Sequence, residues 1–307
     1  MPTAFLVCQE RLMKANQRPS DSGANALTET TMPQQHAMTI DVEDYFQVSA
    51  FENLVTPKDW DRMTPRVEAN TDKLLQLFAD HNTTATFFTL GWVAQRFPNM
   101  IQRIVAQGHE LASHGTMHQR ASAQTREEFK ADVGDAKRLL EDLSGKPIVG
   151  YRAPSFSFTK NNLWAYEVLA EEGYRYSSSV YPVVHDHYGI PDAPRFRYAT
   201  ETGIDEIPLS TLPLFGRNLP ISGGGYFRLY PYLLTRWAVS RFSQQESQPY
   251  IFYMHPWEVD PHQPRMQGAS AKSRFRHYLN LKRVEARLTR LLDDFEWSSM
   301  AKLYGYA

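Results

Sequence analysis

Two histidines four residues apart are the clearest chemical signal in this chain of 307 residues. They lie in the segment Ser113-His114-Gly115-Thr116-Met117-His118. If this segment forms a helical turn, both imidazole rings project to one side, which is a spacing used by metal ligands. Two histidines at this spacing also occur in loops that bind no metal. The pair therefore predicts a metal site only together with further ligands.

Carboxylates and a third histidine supply those further groups. Asp41, Glu43 and Asp44 follow one apolar run. His255 follows another, residues 250–254. A metal-dependent hydrolase needs one carboxylate as a ligand and a second as general base, and a histidine can protonate the leaving group. Asp41 and Glu43 share a face if the strand continues, whereas Asp44 joins them only if the chain turns. The structural alternatives are a solvated loop and a core histidine bonded to a backbone carbonyl.

An arginine and several ring-bearing residues lie near these groups. Arg152 follows a short apolar segment and could hold a catalytic carboxylate through a forked hydrogen bond; otherwise it forms a surface ion pair. Tyr151, Pro154 and Trp257 are the candidate substrate contacts, and Trp257 could either stack on a sugar or simply pack. The segment Ser222-Gly223-Gly224-Gly225 lacks the GK[ST] ending of a phosphate loop, so it indicates a flexible turn or a close approach of the substrate.

The segments that must position these residues alternate between strand-like and helix-like patterns from about His36 onward. The predicted strands are 37–42, 83–90, 109–113, 148–151, 174–177, 205–209 and 250–254, and the predicted helices are 67–78, 99–106, 125–144, 161–172, 231–242 and 274–295. The candidate residues each follow a strand, and parallel strands open their carboxyl ends on one face. The pattern therefore predicts an α/β barrel or a doubly wound sheet with the site at that face.

Composition narrows the classes of function. The formal charge of −1 gives no electrostatic case for nucleic acid or for an anionic membrane, although a local basic patch stays open. The single cysteine, Cys8, cannot form an intrachain disulfide. The amino terminus lacks the pattern of a signal peptide and no run reaches the length of a transmembrane helix. We therefore expect a cytoplasmic protein without membrane insertion or nucleic-acid partner; its oligomeric state is not predicted.

Three regions are expected along the chain. Residues 1–35 are polar without an apolar period and predict a disordered tail. Residues 36–264 carry the motifs and predict the catalytic domain. Residues 265–307 predict a helical extension packed on the barrel, in which the helix 274–295 buries a stripe of apolar residues, namely Leu279, Val284, Leu288, Leu291 and Leu292.

The motifs together resemble the polysaccharide deacetylase family, the NodB-homology enzymes of carbohydrate esterase family 4. The resemblance rests on four segments in family order and covers about residues 36–295, the segments being residues 39–46 (TIDVEDYF), 113–118 (SHGTMH), 152–155 (RAPS) and 254–257 (MHPW). It implies a distorted (β/α) barrel of seven or eight parallel strands and hydrolysis of N-acetyl groups from amino sugars of a glycan. The DVEDYF and HPWE segments resemble the branch linked to bacterial exopolysaccharide biosynthesis.

The resemblance also implies roles and one divalent ion per chain, with zinc as the expected metal. Asp41 matches the general base, Arg152 the residue that orients it, and His255 the general acid. His114 and His118 match the metal-binding histidines. The family usually has two adjacent aspartates, whereas this chain has Asp-Val-Glu-Asp, so either Glu43 or Asp44 is the expected carboxylate ligand.

A second departure concerns the motif that tunes the acid histidine in the family. Only residues 205–208 (DEIP) lie in the corresponding region, and no tryptophan is near them. Two alternatives to a deacetylase stay open. One is a hydrolase of small cyclic amides with the same fold, and the other is a catalytically silent carbohydrate-binding scaffold. The altered acidic motif favours the scaffold, whereas the retained base, histidines, arginine and acid favour an enzyme.

Overall fold

The computed structural model describes residues 34–184, 189–214 and 216–307. The predicted tail falls outside the described residues except at its end. There the prediction is too long, because Gln35 already begins the first strand. No helix among the described residues is both long and apolar enough to cross a membrane.

The core of the molecule is a curled, mostly parallel sheet, which confirms the predicted barrel-like α/β fold. Its spatial order is β10-β1-β2-β3-β4-β5-β7-β6, with β11 also parallel to β1 and only β6 antiparallel to its neighbour β7. Strands β8 and β9 form a separate hairpin. The strands are β1 Gln35–Val42, β2 Thr86–Thr89, β3 Glu110–Ser113, β4 Gly150–Tyr151, β5 Tyr176–Ser177, β6 Tyr198–Ala199, β7 Asp205–Glu206, β8 Thr211–Leu214, β9 Arg217–Pro220, β10 Ile251–Met254 and β11 Glu296–Ser298.

Helices cover the sheet between the strands. They are α1 Val67–Asp80, α2 Gly91–Arg96, α3 Pro98–Ala106, α4 Arg126–Ser144, α5 Ala165–Glu171, α6 Gly224–Leu229, α7 Tyr232–Gln245, α8 Ala271–Tyr278, α9 Val284–Asp294 and α10 Met300–Tyr304. The sequence explains several boundaries. The capping box of Thr125 and Glu128 starts α4, and Gly145 ends it in a left-handed conformation. Pro98 opens α3, where its missing N–H costs nothing.

Strand register aligns the carboxyl ends on which the site depends. Strand β1 is buried on both faces after its first residue, as expected of a parallel strand between neighbours. Val42 pairs with Thr89, Thr89 with Ser113, and Ser113 with Tyr151. The residues that follow β1, β3 and β4 therefore meet at one edge of the sheet.

The carboxyl-terminal extension differs from the prediction of one long helix. The chain breaks between α8 and α9, where Asn280 adopts a left-handed conformation with φ of +53° and donates from Nδ2 to the carbonyl of Arg228. Leu279, at this break, is not buried, whereas the other four residues of the predicted stripe are. The extension is also not purely helical, because β11 joins the sheet beside β1. The predicted domain boundary at residue 264 stays a prediction.

Candidate active site

Glu43, His114 and His118 form a group that has the donors of a metal site. Glu43 follows β1 and His114 follows β3, with β2 between these strands. One ligand atom of each residue lies within 4.8 Å of the others, and Oε2 of Glu43 is 2.8 Å from Nε2 of His118. Two imidazoles and one carboxylate are a ligand set of catalytic zinc sites, which keep a further position open.

The hydrogen bonds and burial of this group suit a divalent ion. Nδ1 of His114 donates to the carbonyl of Arg152 at 2.7 Å, so Nε2 keeps its lone pair for a metal. Burial and the charge of His118 lower the pKa of His114 to about 3, which keeps the ring neutral. Burial raises the pKa of Glu43, but His118 and His255 outweigh it and leave that pKa below its ordinary value. Oε2 of Glu43 accepts no well-aligned hydrogen bond from the described residues.

A loop brings the histidine rings together, so the predicted helical turn is wrong. Gly115 and His118 have positive φ angles of 75° and 52°. The amide of Thr116 donates to Oδ1 of Asp132 at 3.0 Å, and its hydroxyl donates to the carbonyl of Asp132. A Cβ on Gly115 would lie 2.5 Å from Oδ2 of Asp132. The loop still places the ring centroids of His114 and His118 only 5.4 Å apart.

Asp44 has a structural role, which distinguishes it from Glu43. Its Oδ2 accepts hydrogen bonds from the amides of Arg66 and Val67, and its Oδ1 accepts one from Tyr45. Arg66 and Val67 begin α1, where free amides and the helix dipole favour a carboxylate. The alternative that Asp44 is the metal ligand is therefore corrected: of the two carboxylates, Glu43 faces the histidines.

Asp41 lies in a buried ion pair with Arg152. Nη1 of Arg152 donates to Oδ1 of Asp41 at 2.7 Å and to the hydroxyl of Thr39 at 2.8 Å. Nε donates to the carbonyl of Ser178, and the guanidinium lies over the ring of Phe88. Both charged groups are almost completely buried, with Arg152 at 0% and Asp41 at 2% exposed. This is not the surface pair of the structural alternative, because a buried arginine held by so many partners fixes the carboxylate in place.

His255 is held between two carboxylates. Its Nε2 is 3.2 Å from Oε1 of Glu43, and its Nδ1 is 2.9 Å from Oε1 of Glu258. Nε of Arg228 donates to Oε2 of Glu258 at 2.7 Å, and that guanidinium also donates to the carbonyl of His277. Burial lowers the pKa of His255, but Glu43 and Glu258 raise it more, to about 9. The two carboxylates therefore favour the protonated form of the ring.

Glu258 is the site residue that sequence reasoning missed. It lies three residues after His255 in the turn that follows β10, and its carboxylate also accepts the amide of His255. The expected tuning region is structural instead: Asp205 pairs with Arg197, and Glu206 accepts the amides of Ser179 and Val180. The signal for Glu258 was present in the HPWE segment, because a glutamate at this spacing completes a capping box.

The glycines at the start of α6 allow this arrangement. A Cβ on Gly224 would lie 2.0 Å from a carboxylate oxygen of Glu258. A Cβ on Gly223, whose φ is +99°, would lie 2.5 Å from the ring of Tyr253. The groups that approach these glycines closely are side chains of the protein itself, and the expected close approach of a substrate stays a prediction.

The predicted substrate contacts need correction. Tyr151 is 0% exposed and packs against Phe129 and Tyr174, so it belongs to the core. Pro154 is also buried. Trp257 stacks between His255, at a centroid distance of 5.2 Å, and His277, at 4.1 Å. Because its faces are covered, Trp257 packs against His255 rather than presenting a surface to a sugar.

Two family models match the chain after residue 58, so Asp41 and Glu43 lie outside both of them. Residues 59–177 match a model described as polysaccharide deacetylase. Residues 178–305 match a model described as a domain of unknown function. The histidine pair lies in the first region, whereas His255 and Glu258 lie in the second. His255 and Glu258 therefore belong to a region whose matching model is described as a domain of unknown function.

Three curated relatives match parts of the chain. The peptidoglycan deacetylase of Helicobacter pylori is 30% identical over 41% of this chain and 42% of its own. The peptidoglycan-N-acetylglucosamine deacetylase of Bacillus cereus is 33% identical over 32% of this chain and 36% of its own. The chitooligosaccharide deacetylase of Sinorhizobium fredii is 35% identical over 32% of this chain and 44% of its own. The chain thus matches less than half the length of each.

A solved structure supports the fold. The chain superposes on a crystal structure from Mycobacterium smegmatis, provisionally named a polysaccharide deacetylase, with a TM-score of 0.57. The match covers 90% of this chain and 92% of that one at 18% identity, so it bears on architecture alone. Residues 59–177 therefore resemble the polysaccharide deacetylase family, the family that the sequence motifs indicate.

Proposed function

We propose that this protein is a metal-dependent hydrolase that removes N-acetyl groups from the amino sugars of a poly- or oligosaccharide. The observation that carries the proposal is one mostly buried cluster at a single edge of the sheet that holds the candidate ligands, base and acid. Within the Glu43–His114–His118 group, Glu43 contacts His255. Asp41 precedes Glu43 by two residues in the sequence. Ligands, base and acid are thus supplied at the same edge of the sheet.

The base side of the reaction belongs to Asp41 and Arg152. A divalent ion held by Glu43 and the two histidines would lower the pKa of a water molecule and polarise the acetyl carbonyl. Asp41 accepts the proton of the attacking water. Arg152 fixes the direction of the Asp41 carboxylate through the 2.7 Å hydrogen bond. Because Arg152 holds Asp41 in place before the substrate binds, less entropy is lost when the base and the attacking water are aligned.

The acid side belongs to His255 and Glu258. Glu258 accepts the Nδ1 proton of His255, so Nε2 carries the proton that faces Glu43 and the substrate. His255 donates this Nε2 proton to the departing amine when the carbon–nitrogen bond breaks. The negative charge of Glu258 favours the imidazolium until that moment. The products are acetate and a free amino sugar.

The metal and the substrate class are inferred from the ligands and the relatives. We infer zinc because two histidines, one carboxylate and an open position are the ligand set of catalytic zinc hydrolases. The relatives are named for peptidoglycan and chitooligosaccharide, so we infer glycans that contain N-acetylated glucosamine. The DVEDYF and HPWE segments support a role in exopolysaccharide biosynthesis.

Acetate release tests the proposal. We expect the zinc-loaded protein to release acetate and free amine in equal amounts from chitin oligosaccharides, peptidoglycan fragments or an N-acetylated exopolysaccharide. If these glycans bind without any release of acetate, the protein is a silent carbohydrate-binding scaffold. If a cyclic amide is opened while every glycan is left intact, the protein is an amidohydrolase of the same fold.

A further inference from the structure

An open groove outside the active site is lined by cations. It lies between the start of α7 and the segment that leads into α9, with a cavity volume of about 510 Å³. Lys282, Arg283, Arg287 and Arg290 line it, and no carboxylate is among the described residues of its wall. We call these four residues the cationic groove. Although the net charge of the chain is −1, four positive charges close together create a local positive electrostatic potential.

Carboxylates on the same helix are occupied elsewhere. Glu285 pairs with Lys73 at 3.1 Å, and Asp294 pairs with Arg236 at 3.1 Å and accepts the hydroxyl of Tyr232. Among the described residues, no ion pair is formed by any member of the cationic groove. The four cations therefore have no carboxylate as an ion-pair partner among the described residues, and Asp294 borders the groove only through its hydrogen bond with Tyr232.

Arg287 shows this imbalance most clearly. It is half-buried at the back of the groove, and Nη1 donates to the carbonyls of Phe227 and Arg228 at 2.7 and 3.1 Å. Burial and the nearby charge of Arg283 both lower the pKa of Arg287. Carbonyl acceptors fix the direction of the guanidinium without neutralising it, which leaves it suited to an anion.

Large apolar side chains border the same groove. Leu229 and Leu233 line it and are 48% and 75% exposed. Trp237 lies one helical turn after Leu233 on α7, and it is 46% exposed. Leucine and tryptophan beside lysine and arginine are the combination found on surfaces that enter the boundary between lipid head groups and acyl chains.

We propose that this face is a docking surface for a membrane that carries anionic phospholipids. Head-group phosphates would lie in the cationic groove, and Leu229, Leu233 and Trp237 would enter the boundary beneath them. A soluble polyanion would satisfy the cations but not the three exposed apolar side chains. An apolar protein partner would cover those side chains but leave the cations unpaired. The inference is independent of the proposed deacetylase activity, because none of these residues belongs to the active site.

Vesicle flotation of the full chain tests the proposal. We expect binding to vesicles of phosphatidylcholine that contain phosphatidylglycerol, and little binding to phosphatidylcholine alone. The variant Lys282→Gln/Arg283→Gln/Arg290→Gln should bind about a hundredfold more weakly, because each cation near an anionic surface contributes about 1 kcal/mol. The variant Leu233→Ser/Trp237→Ser should leave a weaker binding that added salt abolishes.

A matched variant, Lys58→Gln/Lys146→Gln/Arg217→Gln, removes three exposed cations that lie outside the groove. It should bind like the wild type, and thermal unfolding should show that all variants fold. If this variant lost as much vesicle binding as the groove variant, the loss would be an effect of net charge alone. That result would overturn the proposed docking surface. Absence of vesicle binding would also overturn it, as would saturable binding of pyrophosphate without any binding to vesicles, which would indicate a soluble anion site.

Discussion

The candidate metal side and the candidate acid side of the site are positioned by different kinds of contact. On the metal side, Glu43 and His114 follow strands β1 and β3 of one parallel sheet, and short local contacts aim their side chains. On the acid side, His255 depends on Glu258, and Glu258 depends on Arg228. Strand ends therefore place the candidate ligands, whereas a relay of buried charges holds the acid. Substitutions on the two sides should therefore affect different properties, namely metal content on one side and the pH dependence of activity on the other.

The largest contrast is expected between two neighbouring carboxylates. Glu43→Gln removes the only carboxylate of the candidate ligand group, so metal content and acetate release should both fall to background. Asp44→Asn weakens hydrogen bonds at the start of α1, so it should lower the free energy of unfolding by about 1 kcal/mol and retain metal. Elemental analysis and thermal unfolding of both variants check this. Loss of metal in Asp44→Asn with retention in Glu43→Gln would reverse the assignment.

A loss of turnover without loss of metal is expected for the base. Asp41→Asn keeps the shape of the side chain but cannot accept the water proton, so kcat should fall by about 10² to 10⁴. Metal content should stay at the wild-type level, because Asp41 is outside the ligand group. Acetate release and elemental analysis on the same preparation measure both. Activity within a few-fold of the wild type would remove Asp41 from the base role.

On the acid side, we expect a smaller loss of activity together with a change in the pH dependence of that activity. Glu258→Gln removes a charge that raises the pKa of His255, so kcat should fall by about 10- to 100-fold. Since His255 must be protonated to act, activity falls as pH rises through its pKa, and this alkaline limb should move to lower pH. The matched variant Glu206→Gln changes another buried glutamate that does not contact His255. Glu206→Gln should alter stability but leave the alkaline limb of the pH profile at its wild-type position. The same shift of that limb in both variants would refute the role of Glu258.

The smallest effect is expected in the loop between the two histidines. Gly115→Ala places a Cβ 2.5 Å from Asp132 at a positive φ, whereas Gly108→Ala meets the same positive φ with no atom within 4 Å. The left-handed strain costs about 1–2 kcal/mol at each position. Only Gly115→Ala should also weaken metal binding, measured by competition with a chelator. Equal metal affinity in both variants would show that the loop does not position His114 and His118.

The sequence predicted the metal side better than the acid side for a physical reason. Alternating apolar runs fixed the parallel sheet, and residues at its strand ends had to meet at one edge. Periodicity could not choose between Glu43 and Asp44, because that choice depends on amides of α1 more than twenty residues away in sequence. The helical turn at the histidine pair was wrong because Asp132 holds a loop there instead.

The rest of the site depends on contacts of long sequence separation. Arg228 reaches Glu258 across 30 residues and the carbonyl of His277 across 49. Such contacts leave no periodic trace, which explains why the role of Glu258 was missed and why Trp257 and Tyr151 were taken as substrate contacts. The cytoplasmic location stays a prediction, whereas the local basic patch left open by the net charge is present at the cationic groove.

Metal content per chain tests the central claim most directly. The wild type and His114→Ala/His118→Ala should be loaded with zinc, freed of excess metal and compared by elemental analysis. The account predicts about one divalent ion per wild-type chain and none in the folded double variant. A wild type that retains no metal, or a double variant that retains as much as the wild type, would contradict it.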